Sequence, residues 1–309
     1  MKITKILPLI GIFIFILVIT KVGIKEILVT LSAAKVSYLL FALVISFFTV
    51  LLQAYKWHMI VKGQNYHIPF IYAIKVQFIS LFYGTITPGK LGSFIKVHYL
   101  HKKIGRNYGT CLPSVLMERF LDLFVVTLLS LLGAFLVIKD YSNVLLEITT
   151  VLIFAFFVIY IFSNKEMTAK VLRFVFNFLV PARFKDKAKE LFQGFYEATI
   201  HPKHLLVPFI LTVITWVTIY MQLYLVALSL NIVVPLYYFV PIMSIVTMIG
   251  LIPVTISGLG TREIAMIALF DKYYVVPKTV VAMSLAGLII SLAVILFGAF
   301  LAFRDEEYL

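Results

Sequence analysis

Long apolar segments, separated by short polar or basic connections, follow one another along most of the chain. A helix needs about 20 mostly apolar residues to cross the hydrocarbon core of a bilayer, and somewhat shorter or longer segments also fit. Six segments are interpreted as full crossings: Ile6–Thr20, Val36–Ala54, Pro113–Ile138, Val144–Phe162, Leu205–Leu230 and Lys278–Phe303. The pattern predicts an all-α polytopic membrane protein with about six full spans.

Two further apolar segments end in breaks rich in proline, glycine and charge. The first segment is Ile68–Ile86; its break is Thr85–Gly92, and a short apolar stretch, Phe94–Leu100, comes after it. The second segment is Leu236–Ile252; its break is Ile252–Glu263, and the short apolar stretch after it is Ile264–Phe270. A bilayer core has no water to satisfy freed backbone groups, so a broken helix persists there only inside protein or beside a wet cavity. Because the short apolar stretches after the breaks cannot cross the bilayer, the sequence predicts two re-entrant helical hairpins.

The distribution of basic residues predicts how these elements are oriented. Cytoplasmic connections carry an excess of Lys and Arg, and one such cluster follows the first break: Lys90, Lys96, Lys102, Lys103 and Arg106. The connection 163–204 is also basic, with apolar residues at helical spacing, whereas 139–143 and 231–235 carry one lysine and none. We therefore expect the first hairpin to enter from the cytoplasm and the second from outside, with both termini cytoplasmic.

This orientation divides a single integral membrane domain, residues 1–309, into two halves that have opposite orientations in the membrane. Half 1 covers about 36–138 with its break at 85–93, and half 2 covers about 205–303 with its break at 252–263. Paired interruptions in corresponding positions are typical of inverted-repeat transporters, and they indicate the binding site.

Composition supports a membrane protein and argues against other classes. Of 309 residues, 62% are hydrophobic and 13% charged, which no ordinary soluble domain matches. The net charge of +13 lies mostly in loops beside apolar segments rather than on a soluble basic face, so we expect no nucleic-acid partner. The single cysteine, Cys111, excludes an intrachain disulfide. We expect a location in the cell membrane, no cofactor or metal, and lipid partners; homo-oligomerisation stays open.

Charged residues inside the apolar zone are the candidate site. Glu118 and Asp122 share a helix face, and Arg119 can reach Asp122 three positions on. Arg262 and Glu263 follow the second break. One hypothesis is that Lys90 and Arg262 attract a lipid phosphate, helped by a helix N-terminus, while the carboxylates orient these cations. The alternative is that Arg119–Asp122 and Arg262–Glu263 are structural ion pairs.

The predicted substrate-binding and translocation residues combine both breaks with the charged helix. They are Pro88, Gly89, Lys90, Gly92, Glu118, Arg119, Asp122, Pro253, Ser257, Gly258, Gly260, Arg262 and Glu263. Gln53, Gln77 and Gln222 lie inside apolar segments; they either line a path through the bundle or form interhelical hydrogen bonds, which is the commoner use of such residues. Trp57, near a segment end, is interpreted as an interfacial anchor.

Three motifs carry a resemblance to a known family. Pro88-Gly-Lys-Leu-Gly-Ser-Phe-Ile-Lys-Val, Glu118-Arg-Phe-Leu-Asp122 and Pro253-Val-Thr-Ile-Ser-Gly-Leu-Gly-Thr-Arg-Glu263 resemble the transmembrane region of lysylphosphatidylglycerol synthases, a flippase-like family. Ser93 stands where that family often has an acidic residue. The resemblance implies a polytopic protein that moves a polar-headed lipid between leaflets. Because the chain ends at Leu309, soon after its last predicted span, we expect no lysyl transfer from it.

Three functions fit these features. The first is a lipid flippase or scramblase that carries a phospholipid, glycolipid or polyprenyl-linked lipid with an anionic headgroup. The second is an integral-membrane transferase acting on a lipid-linked substrate, in which Glu118 and Asp122 bind a metal or act as base. The third is a small-solute secondary transporter. The sequence contains no Walker A motif, so we expect no ATP hydrolysis and no enzymatic activity from this chain.

Overall fold

The computed structural model describes residues 15–137, 204–251, 258 and 260–305, all of them in helices or short connections. Residues 15–22 are helical and lead into nine α-helices. These are α1 (Ile24–Ser32), α2 (Val36–Gly63), α3 (Phe70–Ile86), α4 (Ile95–Ile104), α5 (Tyr108–Val137), α6 (Leu206–Ser229), α7 (Leu236–Leu251), α8 (Thr261–Phe270) and α9 (Pro277–Arg304). Two 3₁₀ segments, Pro88–Phe94 and Asp271–Tyr273, join α3 to α4 and follow α8.

Three of the predicted membrane spans correspond to long apolar helices, and a fourth lies within a long helix. Three helices are long and apolar enough to cross a membrane, namely α2, α6 and α9, and they cover the predicted spans Val36–Ala54, Leu205–Leu230 and Lys278–Phe303. The predicted span Pro113–Ile138 lies in α5, a continuous helix of 30 residues. The spans Ile6–Thr20, in its larger part, and Val144–Phe162, together with nearly all of the connection 163–204, lie outside the described residues.

The first break turns the chain back on itself. The Tyr72 hydroxyl, at the start of α3, donates to the carbonyl of Tyr99 in α4 at 2.8 Å. Near the turn, the Ser80 hydroxyl donates to the Ser93 carbonyl at 3.3 Å. A Cβ added at Gly92 would lie 2.0 Å from the carbonyl oxygen of Tyr83, so only glycine fits. Helices α3 and α4 are therefore the two antiparallel arms of a hairpin.

The second break produces the same arrangement between α7 and α8. Phe239 and Phe270, at the open ends of the arms, have ring centroids 5.6 Å apart. At the turn, a Cβ on Gly258 would approach the Cα of Gly250 to 2.9 Å. Gly258 and Gly260 also have φ angles of +77° and +84°, which glycine adopts without the steric cost that other residues incur. Both glycines are thus required by the geometry of this turn.

The hairpins pack against long helices. Helix α7 lies antiparallel along α5, with Thr127 beside Met248 and Gly133 beside Pro241. Helix α3 packs against α9, where Gly298 lies against the backbone of Phe78. Elsewhere in the bundle, the Lys35 backbone N–H donates to the Ser229 carbonyl at 2.9 Å, which fixes the start of α2 beside the end of α6. The hairpins are thus enclosed by longer helices.

The buried side chains fall into two main clusters, each of which also includes residues from the other half of the chain, such as Ala302 in the first and Ala42 in the second. Trp57, Val76 and Val115 belong to the first cluster, and Phe239 and Val281 belong to the second. Large apolar side chains also remain exposed on the outer faces of the spanning helices, for instance Phe41, Leu296 and Phe303. A continuous apolar exterior of this kind matches a lipid-facing surface.

We predict that Gly298→Ala destabilises the protein and Gly287→Ala does not. A Cβ at position 298 would lie 2.2 Å from the backbone oxygen of Phe78, whereas one at position 287 meets only a flexible Leu223 methyl at 3.2 Å. Overpacking of this kind costs about 1–3 kcal/mol. Both glycines lie in α9, so both variants gain the same helix propensity. Thermal unfolding in detergent should show a lower midpoint for Gly298→Ala alone; equal midpoints would contradict the packing.

Candidate functional site

Three cations, one from the first turn, one from α5 and one from the start of α8, lie within electrostatic range of one another. Lys90 lies in the 3₁₀ segment of the first hairpin, Arg119 in α5, and Arg262 in the first turn of α8. Lys90 is close enough to both arginines to be repelled by their charge, and close enough to Asp122 to be attracted by it. The fold therefore brings residues from both breaks and from the charged helix into one site, although they are up to 172 positions apart.

The carboxylates of α5 are held by two lysines from other elements. Lys96 of α4 donates to Glu118 at 2.7 Å, and both side chains are buried. Lys56 of α2 donates to Asp122 at 2.6 Å and lies 3.9 Å from Glu118. Trp216 of α6 also donates its indole N–H to Asp122, at 3.3 Å. These contacts connect α2, α4, α5 and α6 through charge.

Lys96 and Trp57 have different roles from those predicted. Lys96 was expected in a cytoplasmic basic cluster, and Trp57 was expected as an interfacial anchor, but both are fully buried. The Lys96 ammonium lies 5.2 Å from the centroid of the Trp57 ring, and the indole N–H of Trp57 donates to the Ser114 hydroxyl at 3.4 Å. The α4 helix folds back against α5 and carries Lys96 into the interior, which charge counting along the sequence could not show.

Glu263 caps its own helix. Its carboxylate accepts a hydrogen bond of 2.6 Å from the backbone N–H of Gly260 and another from the Ser284 hydroxyl of α9. A carboxylate at this position satisfies a free backbone donor and offsets the positive end of the helix dipole. The N-terminus of α8 is therefore already occupied, and Arg262 is the main positive feature that this turn offers a ligand.

Lys90, Arg119 and Arg262 have no such compensation. None of the three forms an ion pair with a carboxylate of the described residues. The Arg119 Nε is buried and has no hydrogen-bond partner in the described part of the chain. Arg119 and Arg262 are half-buried, and Lys90 is exposed. We call these three residues the cation cluster; it is positively charged and at least partly accessible.

Local geometry holds two members of the cation cluster in place. The Cγ and Cδ of Arg262 lie against Gly250 and Gly258, where an added Cβ would come within 3.0 Å of them. Lys90 has a φ of +57°, a conformation that is uncommon for residues other than glycine. Strained backbone of this kind clusters at ligand sites and switch regions. The first turn thus uses a lysine where a glycine would be conformationally easier.

These contacts decide between the interpretations of the charged residues. Neither Arg119–Asp122 nor Arg262–Glu263 forms an ion pair, so the structural-pair alternative is wrong for both. The carboxylates do not clamp Lys90 and Arg262 either, because Lys56, Lys96 and Ser284 occupy them. Gly92, Gly258 and Gly260 shape the turns. Pro88 and Gly89 begin the 3₁₀ segment, and Pro253 and Ser257 lie outside the described residues.

Three residues of the site were not predicted from the sequence: Lys56, Trp216 and Ser284. Lys56 lies just beyond the predicted span Val36–Ala54, but α2 continues to Gly63, which puts this lysine inside a long apolar helix. A charge so placed usually needs a partner, so the length of the helix was the available signal. Trp216 and Ser284 gave no signal, since such residues are common in membrane helices. Gln77 donates to Gln53, at 2.6 Å, so for this pair the structure shows interhelical hydrogen bonding, the commoner of the two uses considered.

A separate cavity lies along the first hairpin. It encloses about 380 Å³ and contains none of the predicted site residues. Its wall is formed by Tyr83, Phe94, Ile95, Val97, His98, Tyr99, Tyr108, Ala302 and Asp305. Asp305 is paired with Lys75 at 2.9 Å, so its charge is compensated within the protein. The cation cluster therefore remains the better candidate for an anionic ligand.

Comparison with known proteins bears on this arrangement. The model of the family described as lysylphosphatidylglycerol synthase TM region matches residues 6–299. The chain belongs to this family. It is thus a multi-pass integral membrane protein, and the resemblance seen in the three motifs is confirmed.

Three curated relatives are similar over most of the chain. A UPF0104 membrane protein of Pyrococcus horikoshii is 26% identical over 98% of this chain and 97% of its own length. One of Methanocaldococcus jannaschii is 24% identical over 94% and 91%, respectively. One of Archaeoglobus fulgidus is 26% identical over 80% and 79%. The first two relatives match more than nine tenths of this chain and of their own length.

We predict that Lys96→Met destabilises the fold and that Lys96→Met/Glu118→Gln recovers much of the loss. Removing one partner of a buried pair leaves an uncompensated charge, which costs about 3–5 kcal/mol, whereas neutralising both removes that penalty. Thermal unfolding in detergent measures both variants, with Lys102→Met, on the exposed side of α4, as the control. A double variant as unstable as the single one would show that the pair does not act through charge.

Proposed function

We propose that this protein moves a polar-headed lipid between the leaflets of the membrane, as a flippase or scramblase. The headgroup would bind at the cation cluster, between the turns of the two hairpins. The acyl chains would stay in the surrounding lipid, against the apolar outer faces of the helices. The membrane lipid is therefore both the substrate and the main partner, and the chain itself needs no cofactor.

The observation that carries this proposal is the uncompensated, accessible positive charge of Lys90, Arg119 and Arg262. A charge in an apolar environment is costly unless it is paired, and intramembrane charges of this kind usually mark substrate or ion pathways. In the same region, Asp122 pairs with Lys56 and Glu118 pairs with Lys96, so the protein provides carboxylates for two other cations. That the cation cluster is left without them among the described residues favours an anion from outside the protein, and a phosphate-bearing headgroup fits its charge.

Two features of the fold support a transport mechanism. Both breaks form antiparallel hairpins, and each hairpin packs against a long helix of the bundle, α3 against α9 and α7 against α5. We propose that the hairpins are re-entrant, that they enter from opposite faces, and that the two halves form an inverted repeat. Rocking of one half against the other would then expose the cation cluster to each leaflet in turn. An ion gradient, the membrane potential or the lipid gradient would supply the energy.

The transferase alternative is less well supported by the site. It would use Glu118 and Asp122 as metal ligands or as a base. In the structure each carboxylate accepts a short hydrogen bond from a lysine ammonium, at 2.7 Å and 2.6 Å, respectively. Carboxylates held in this way serve as counter-ions for the bundle, which favours lipid movement over chemistry at these residues.

We predict that Arg262→Gln slows lipid exchange at least about tenfold in reconstituted vesicles. Glutamine keeps the Cγ and Cδ that pack against Gly250 and Gly258 but removes the charge, and a hydrogen bond to a charged group contributes about 1.5–3 kcal/mol. The measurement is the loss of fluorescence of outer-leaflet labelled lipids after addition of an impermeant quencher. Lys90→Gln should behave in the same way.

Lys62→Gln, an exposed charge at the end of α2, serves as the control for these variants. All variants should elute as the unmodified protein does in size-exclusion chromatography. Unchanged exchange in both Arg262→Gln and Lys90→Gln would refute the proposed site.

We also predict that single cysteines at Asn65 and Lys102 react from the same face of the membrane. The contacts between α3 and α4 place both ends of the first hairpin together, and Lys103 lies over the Tyr72 ring at 5.2 Å. A cysteine at Tyr274, after the second hairpin, should react from the opposite face. The background is Cys111→Ala, and the reagent is a membrane-impermeant maleimide on oriented vesicles. Reaction of Asn65→Cys and Lys102→Cys from different faces would show that the first hairpin crosses the membrane.

A further inference from the structure

We infer that an apolar groove beside the second hairpin holds one acyl chain of an anionic phospholipid, whose phosphate is bound by Lys21 and Lys278. The groove encloses about 550 Å³ and contains no member of the cation cluster. The lipid is therefore a bound component of the protein at a second site. This inference does not depend on the proposed transport.

Three elements form the groove: the helical residues 15–22, helix α8 and the start of α9. The lining residues are Val18, Lys21, Val22, Ile267, Val276, Pro277 and Lys278. Five of these seven are apolar, so the walls offer a ligand almost no hydrogen bonds. Val18, Val22 and Ile267 also pack against the buried cluster that contains Phe239 and Val281, which holds these walls to the core of the bundle.

The surface around the groove is apolar as well. Ile16 and Leu17, next to Val18 in the chain, are exposed, and so is Ile264, one turn before Ile267 on α8. The volume of the groove lies within the range of about 300–1,000 Å³ that ligand pockets cover. A hydrocarbon chain matches these walls, because it covers them without leaving a polar group unpaired.

Lys21 and Lys278 supply the charge that distinguishes one lipid from another. Both are exposed, and neither forms an ion pair with a carboxylate of the described residues. Lys21 directly follows the predicted span Ile6–Thr20, and Lys278 lies in the first turn of α9. Lipid headgroups lie at such span ends, and lysine side chains there extend toward them. One groove thus joins two cations to an apolar wall, which fits both parts of an anionic lipid.

The two lysines predict a preference for anionic over zwitterionic lipids. A basic residue near the membrane surface favours an anionic lipid about fivefold. Phosphatidylglycerol carries one net negative charge, whereas the ammonium group of phosphatidylcholine offsets its phosphate. We therefore expect phosphatidylglycerol to occupy the groove at least about tenfold more than phosphatidylcholine at equal concentration.

The test is photolabelling of the full chain in phosphatidylcholine vesicles that contain a small fraction of a probe lipid. The two probes are phosphatidylglycerol and phosphatidylcholine with the same diazirine in one acyl chain, and peptide mass spectrometry locates the labelled residues. Phe41 and Val44, exposed on α2, report the surrounding lipid and serve as the reference. Relative to this reference, the phosphatidylglycerol probe should label residues 15–22 and 267–278 at least about tenfold more than the phosphatidylcholine probe.

One pair of variants tests the charge. Lys21→Gln/Lys278→Gln should remove the preference for the phosphatidylglycerol probe, because it removes both cations and leaves the apolar walls in place. Lys25→Gln/Lys35→Gln is the matched control. It removes the same charge from two exposed lysines that do not line the groove, so the preference should persist.

A second pair of variants tests the space. Val18→Phe places a larger side chain in the groove and should lower its labelling by both probes. Leu17→Phe makes a comparable change on the exposed side of the same helical segment, so labelling of the groove should be retained. Only variants that elute as the unmodified protein does in size-exclusion chromatography are compared; if Val18→Phe fails this requirement, the charge variants still decide the inference.

Three results would overturn the inference. Equal labelling of the groove by the two probes would mean that it holds lipid without selecting charge. A preference that persists in Lys21→Gln/Lys278→Gln would mean that these lysines do not bind the phosphate. Labelling of residues 15–22 and 267–278 no higher than the reference would mean that another occupant, such as a second copy of the chain, covers the groove. None of these results bears on the proposed transport, because photolabelling does not measure lipid exchange.

Discussion

Charge compensation inside an apolar bundle is the constraint on which the site depends. An ammonium or carboxylate taken out of water must find a partner, and the partner must come from whichever helix is adjacent. Lys96 of α4 and Lys56 of α2 meet this requirement at Glu118 and Asp122, so one face of α5 fixes the positions of two neighbouring elements. Because these carboxylates are occupied, the positive charge of the cation cluster remains available.

The hairpins satisfy a second constraint, the need of every backbone group in a membrane protein for a partner. At the first turn, the Thr87 hydroxyl accepts from the Gly92 N–H and donates to the Tyr83 carbonyl, which satisfies groups that a continuous helix would pair. At the second turn, the Glu263 carboxylate accepts a hydrogen bond from the Gly260 N–H. Side chains within the turns therefore replace the missing helical bonds. The same compact turns bring Lys90 and Arg262 close to α5.

The family relationship and the geometry contribute different parts of the functional conclusion. Membership of the lysylphosphatidylglycerol synthase TM region family makes a lipid-related role a reasonable expectation, and that family's model matches residues 6–299. The arrangement of charges makes that role specific to residues. Glu118, Asp122 and Glu263 act within the protein, whereas Lys90, Arg119 and Arg262 are left for a ligand. Sequence similarity alone does not separate these two groups of charged residues.

The sequence by itself determined the all-helical membrane class, the positions of the described spanning helices and the two breaks. These features depend on local properties, namely the burial of apolar side chains and the backbone conformations of proline and glycine. Only the tertiary structure decided the partners of the charges. Asp122 could not be assigned to Lys56, or Glu118 to Lys96, because these pairs depend on the rotation and depth of helices that are far apart in the chain. Three residues of α5 that read as one charged motif thus divide into two compensated carboxylates and an arginine that has no ion pair within the described part of the chain. Only packing decides which side chains meet.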